Sequence, residues 1–365
     1  MAGETQPVVK DSKPSGEGSG PSGRSSALVI ARRCVKLLSD NAIYSALVIL
    51  VLVIAIKDPT ILSITCLRDI LVQSSTKVIV AMGAFFAIAI AGADLSAGRQ
   101  VGLAAVVSAS MLQMANYPRL FFPSLATHHM WLFVPIVLAI LACTLCGVLN
   151  GFFVAYFGVA PFIATLGTMV TVWGVNSIYF NSEPNNAQPI GGLRTDFTDI
   201  GSGTIGTGPY SIPYIVLIAV AVAVFMWVLL NKTTFGLNVY AIGGNVNAAQ
   251  VSGINIKATT IGMFAIASTL YGLAGVLEAS RTGGANNRYG ESYEMDAIAA
   301  CVVGGVSVAG GVGTVSGILA GVLIFGVINY GLTYVDLDPY WQLIIKGGII
   351  VSAVAFDVRK YVTKK

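Results

Sequence analysis

The sequence predicts an all-α polytopic membrane protein of about ten transmembrane helices, some short or broken, with both termini in the cytoplasm. Three observations carry that prediction. The first is composition: 55% of the 365 residues are hydrophobic and 10% are charged, against about 25% charged in a soluble domain. Mean hydropathy is +0.78. The second is a run from Val78 to Leu112 in which Asp94 and Arg99 are the only charges. As one helix it would rise ~52 Å, far past a hydrocarbon core of ~30 Å. The third is where it breaks. Gly92-Ala-Asp-Leu-Ser-Ala-Gly-Arg99 places an acid and a base between two apolar halves. They either mark a membrane edge or lie at depth. Irregular backbone at depth is tolerated only where it is buried in protein or lines a polar path.

In chain order, residues 1–38 form a Gly/Ser/Pro-rich cytoplasmic tail, disordered at least to Ser26. Ala27–Ala31 is followed by Arg32-Arg33 rather than a small-residue cleavage site, so it does not read as a signal peptide. A transmembrane domain covers 39–358, and 359–365 is a basic cytoplasmic tail. The expected spans are 41–56, 70–93, 99–115, 131–157, 161–180, 212–230, 258–279, 297–309, 312–334 and 340–356. The eighth is too short to cross alone, so it is broken or half-buried. With the N-terminus inside, inside segments hold roughly twice as many Lys and Arg as outside segments, which sets the orientation. Lys77 and Lys346 fall within spans. The long segment 181–211 reads as a polar outside loop.

Several motifs exclude functions. Gly201-Ser-Gly-Thr-Ile-Gly206 has the G-x-G-x-x-G spacing but follows no strand, so it reads as a flexible loop. No G-x-x-x-x-G-K-[ST] is present, so the chain is expected to hydrolyse no nucleotide itself. His128-His129 has no acidic or cysteine company and reads as an interfacial pair, not a metal site. Cys143-Thr-Leu-Cys146 lies inside an apolar helix and reads as two small buried side chains. No catalytic arrangement is legible. Net charge is +4 without a basic stripe carrying aromatics, so nucleic acid is not an expected partner.

Polar residues within or beside spans are the candidate pathway or gate: Asp94, Ser96, Arg99, Asn150, Asn176 and Asn329. Glu278 is expected to pair with Arg281, three residues on. Asp94 is expected to cap the helix that follows it, or to pair with Arg99. Within the cytoplasmic segment 231–257, Asn245 is a good N-cap and Gly253 a good C′ residue for a two-turn helix. Its exposed face, Ala248, Ala249 and Val251, reads as a surface connector or as a knob for a groove in a soluble partner. The glycine-rich stretch Gly304–Gly317 loosely echoes the Ser96–Gly102 spacing. It reads equally as a repeated helix break or as close helix packing.

These residues resemble a known family. Gly92–Ala105, Pro161–Thr168, Gly243–Gly253 and Gly304–Thr314 occur in order and resemble the permease subunits of bacterial ribose/galactose-type ABC sugar importers. The resemblance runs from about residue 41 to the C-terminus. It is nearest to the galactose type on Asp94–Ala105, Tyr293–Val303, Val327–Tyr334 and Asp338–Trp341. It implies a monosaccharide permease of the inner membrane that binds no cofactor itself. It also implies a second permease copy, a cytoplasmic ATPase carrying ATP and Mg, and a periplasmic sugar-binding protein. The ATPase coupling residues would be Gly243, Gly244, Asn245, Ala248, Ala249 and Gly253. The competing readings are an ion-coupled secondary transporter using Asp94 or Glu278, a ribose-type rather than galactose-type importer, and a non-transporting scaffold.

Overall fold

A computed structural model describes residues 52, 55, 56, 59–127, 130–334 and 338–362. The expected first span, His128-His129 and the two tails' ends lie largely or wholly outside these residues.

The chain forms a helical bundle around two long buried helices. α1 (Ile64–Ala89) opens at Ser63, whose hydroxyl accepts the Cys66 N–H at 3.2 Å, and supplies the centre of the core from Val78 to Ala89. α2 (Ala97–Met111) has 15 residues, about 22 Å, short of a hydrocarbon core of ~30 Å. After the short α3 (Pro123–Thr127), α4 (Phe133–Phe157) ends at Gly158, whose φ of 65° is the left-handed conformation that glycine adopts without strain. α5 (Pro161–Asn181) starts three residues later with proline at its first position, where the missing N–H costs nothing.

The segment expected to be a flexible loop is built. α6 (Thr195–Ser202) buries Phe197, and a two-residue hairpin follows, β1 (Thr204–Ile205) against β2 (Ile212–Pro213). The Ser280 hydroxyl accepts the Gly201 N–H at 2.7 Å and donates to the Phe197 carbonyl, anchoring this cap to the end of the central helix. α7 (Tyr214–Lys232) leads into α8 (Thr234–Gly244) and α9 (Val246–Val251).

α10 (Ile256–Thr282) has 27 residues, about 40 Å, and packs against α1, α2, α4 and α6. Glycines set its closest approaches. A Cβ on Gly147 would meet the Phe264 carbonyl and the Ser268 side chain, and one on Gly275 would meet the Val101 carbonyl. α11 (Tyr293–Val303) is the expected half-helix, only 11 residues long. α12 (Val315–Tyr334) and α13 (Pro339–Val362) close the fold. Six described helices are long and apolar enough to cross a membrane: α1, α4, α5, α7, α10 and α12 through Thr333.

Candidate translocation and coupling site

The site begins where α1 ends. Ala91 has a φ of 56°, and Gly92 sits against Pro161, where any Cβ would lie 2.6 Å from the proline ring. The chain then runs along α5. Thr165 Oγ1 accepts the Leu95 N–H at 3.1 Å and lies 3.1 Å from the Ala93 carbonyl. Arg99 lies beside Trp173, past the midpoint of the same helix, with its guanidinium 4.8 Å from the ring centroid. The irregular stretch itself meets the start of α5, at Pro161 and Thr165, and Arg99, the third residue of α2, is what reaches Trp173.

Asp94 is fully buried. Its Oδ1 accepts the Ser96 N–H at 2.9 Å and the Ser96 hydroxyl at 2.6 Å. Ser96 Oγ in turn accepts from Gln100 Nε2 at 2.8 Å and Asn150 Nδ2 at 3.3 Å, and Asn150 Oδ1 accepts from the Thr168 hydroxyl. One chain of hydrogen bonds thus joins the break, α2, α4 and α5. Asp94 holds the residue before α2 rather than that helix's first-turn amides, because Ser96 is itself the N-cap. Asp94 also does not pair with Arg99, which instead lies 3.7 Å from Glu291. The Tyr271 hydroxyl of α10 is close enough to interact with Asp94. Neither Asp94 Oδ2 nor Tyr271 Oη has a hydrogen-bond partner of good geometry.

Asp94, Ser96 and Asn150 are therefore brought together, with Gln100, Thr168 and Tyr271 as members the sequence did not single out. Asn176 lies apart on α5, 2% exposed, with Oδ1 unpartnered. Asn329 is half-buried on α12, and both its amide atoms lack partners.

A second group was not foreseen. Lys77, halfway along α1, bonds Asp296 at 3.0 Å, and Lys346 of α13 approaches the other Asp296 oxygen at 3.4 Å. Glu278 Oε1 accepts from Arg281 at 2.6 Å, as expected, and also from the Tyr293 hydroxyl at 3.2 Å. Glu294 feels the charges of Arg99, Glu291 and Asp296. Together these side chains make a belt of both signs around the N-terminal end of α11. Lys77 and Lys346 were the available signal, since a charge inside a span needs a partner.

The two helix breaks meet. The Gly311 N–H donates to the Ala89 carbonyl at 2.9 Å. Gly243 of α8 sits on both, because a Cβ there would collide with the Ala89 carbonyl and the Gly311 backbone. Gly243 is half-buried in that contact rather than presented outward. α9 is capped as expected: Asn245 Oδ1 accepts the Ala248 N–H at 3.0 Å. At its other end Gly253 has a φ of 82°, with Gly253 N–H to Gln250 O at 3.0 Å and Ile254 N–H to Ala249 O at 3.2 Å, a Schellman closure. Ala249 is buried, not exposed as expected, because a six-residue helix lying on the start of α10 must turn one side inward. Gly244, Asn245, Ala248, Val251 and Gly253 are exposed.

Short, broken helices, charges paired at depth and a capped helix beyond the spans define a membrane permease. Residues 66–354 match the family described as branched-chain amino acid transport system / permease component, and the chain belongs to it. It is 49% identical over 328 residues to the galactose/methyl galactoside import permease protein MglC of Salmonella typhimurium, covering 90% of this chain and 96% of that one. The Escherichia coli MglC matches to the same extent. The ribose import permease protein RbsC of Haemophilus influenzae is 37% identical over 325 residues, 88% of this chain and 94% of that one. No solved structure matches the chain.

Proposed function

We propose that this chain is the permease subunit of an ATP-driven importer that moves a monosaccharide, of the galactose or methyl galactoside type, across the bacterial inner membrane. The observation that carries the reading is the 49% identity to galactose/methyl galactoside import permeases over nine-tenths of both chains. Ribose permeases are more distant, at 37%, which favours the galactose type.

On this reading the chain has about ten spans and both ends in the cytoplasm. Two copies form the pathway between them. A cytoplasmic ATPase binds ATP and Mg, and a periplasmic binding protein delivers the sugar to the segments around α6 and 283–292. The exposed cap of α9, with Gly244, Asn245 and Ala248, enters a groove of the ATPase. Closure of the ATPase around nucleotide then moves α8 and α9 and alternates access. Reconstituted with the ATPase and the loaded binding protein, the chain takes up labelled galactose only when ATP is supplied. Uptake driven by an ion gradient without nucleotide would overturn the reading.

A further inference from the structure

Helices that face lipid should be the most apolar ones. α4 and α7 obey this: the most apolar window of each is 28% buried, with mean hydropathies of 2.3 and 2.5. α5 does not. It is the most exposed of the six, 17% buried, yet its mean hydropathy is the lowest, 1.2. Two of the polar residues behind that low value, Thr165 and Asn176, are buried, while Phe162, Ile163, Val170, Val175 and Ile178 are exposed on the same helix as Trp173. On α5, Trp173, Asn176 and Ser177 stand at i, i+3 and i+4, so they line one stripe. Arg99 covers part of the indole at 4.8 Å, and Glu291 sits 3.7 Å from Arg99. Asn287 Nδ2 reaches Ser177 Oγ at 3.5 Å. Trp173 remains 49% exposed, and the buried Asn176 Oδ1 beside it has no partner.

We infer that Trp173, Arg99 and Glu291 form a contact site for the passing monosaccharide, with Asn176 and Asn287 at its edge. This inference rests on the importer reading. A sugar ring offers an apolar C–H face and a rim of hydroxyls. The exposed indole takes the face, as aromatic side chains do at surfaces that are apolar on one side and wet on the other. The planar donors of Arg99 and the carboxylate oxygens of Glu291 take hydroxyls of either polarity. Because the cation and the anion offset each other, the site selects neither ion and suits an uncharged solute. Glu291 is more than half exposed, so a hydroxyl bonded to it stays in contact with water.

The test uses the whole complex in proteoliposomes with ATP, reading labelled galactose uptake and ATP hydrolysis stimulated by the loaded binding protein. Trp173→Ala should cut uptake by about tenfold, the factor of one good contact. Stimulated hydrolysis should stay within about twofold of wild type, so fewer sugars cross per ATP. Trp173→Phe should recover most of the uptake. Glu291→Gln should change the galactose-to-glucose uptake ratio. Wild-type uptake in Trp173→Ala overturns the inference. So does a parallel loss of uptake and hydrolysis that Trp173→Phe does not relieve, since that marks a structural role. If the wild-type complex shows no ATP-dependent uptake, the importer reading itself fails, and this inference fails with it.

Discussion

Asp94 separates a hydrogen-bonding role from a charge role. Its Oδ1 accepts both the N–H and the O–H of Ser96, and the Ser96 oxygen already accepts from Gln100 and Asn150. Asp94→Ala leaves two buried donors without partners. Each costs about 1–3 kcal/mol, so the loss is roughly 2–6 kcal/mol. Asp94→Asn keeps the Oδ1 acceptor and replaces the unpartnered Oδ2 with an amide that can donate toward Tyr271 Oη. The charge-assisted bonds weaken, but an unpaired buried oxygen disappears. The two effects offset to within about 1 kcal/mol. The assay is thermal unfolding of the detergent-solubilised complex, followed by ATP-driven uptake in liposomes. Alanine should lower the melting temperature by several degrees and abolish uptake, whereas asparagine should do neither. Equal behaviour of the two variants, or an asparagine variant worse than alanine, refutes the argument.

Three further predictions follow from the same geometry. Ala248→Arg adds a long charged side chain to the exposed side of α9; uptake should vanish while the variant stays folded, and pull-down of the ATPase should weaken, and normal coupled uptake excludes the docking role. Asp296→Asn strips both Lys77 and Lys346 of their shared anion. Breaking a buried pair costs about 3–5 kcal/mol, and less here because both lysines are about a fifth exposed; expression and melting temperature should fall, and Lys77→Met with Lys346→Met should restore them. Gly147→Ala drives a methyl group into the Phe264 carbonyl and Ser268. It should destabilise the α4–α10 contact by about 1–3 kcal/mol, measurable as a lower melting temperature with α4 otherwise intact.

The fold was legible wherever apolar runs met strong boundary chemistry. α4 and α5 match the expected spans to within two residues at each boundary, because Gly158 and Pro161 punctuate them. The eighth expected span, 297–309, was read as too short to cross alone, and α11 is short, but it lies at 293–303, starting four residues earlier and ending six residues earlier than expected. What escaped was long-range pairing. Lys77 and Asp296 are separated by 219 positions, and no local pattern links them. Arg99 was read beside Asp94 because the two are neighbours in sequence, but Arg99 already lies in α2 and meets Glu291, while Asp94 bonds Ser96. Segment 181–211 was read as a polar loop, and Gly201–Gly206 within it as flexible because it follows no strand. Phe197 and Ser280 build it instead, and one buried ring with one bridging hydroxyl leaves little trace in hydropathy.

On the importer reading proposed above, the meeting of the two breaks would link movement of α8 and α9 to both short helices. Gly243, Ala89 and Gly311 touch through backbone, with no side chain between them to absorb a shift. If α8 and α9 move relative to α1, either the Gly311–Ala89 hydrogen bond breaks or both breaks move together. Interiors packed this closely change by discrete rearrangement rather than by gradual bending. The first break leads to Asp94 and Arg99, and the second follows directly on α11, whose N-terminal end carries Asp296 and Glu294. A displacement at α9 therefore acts on the two short helices that hold the polar network and the charge belt. The long helices α1 and α10, buried over most of their length, provide the fixed frame. A glycine at position 243 is what permits the contact, and an alanine there should reduce uptake per ATP without loosening the grip of α9 on its partner.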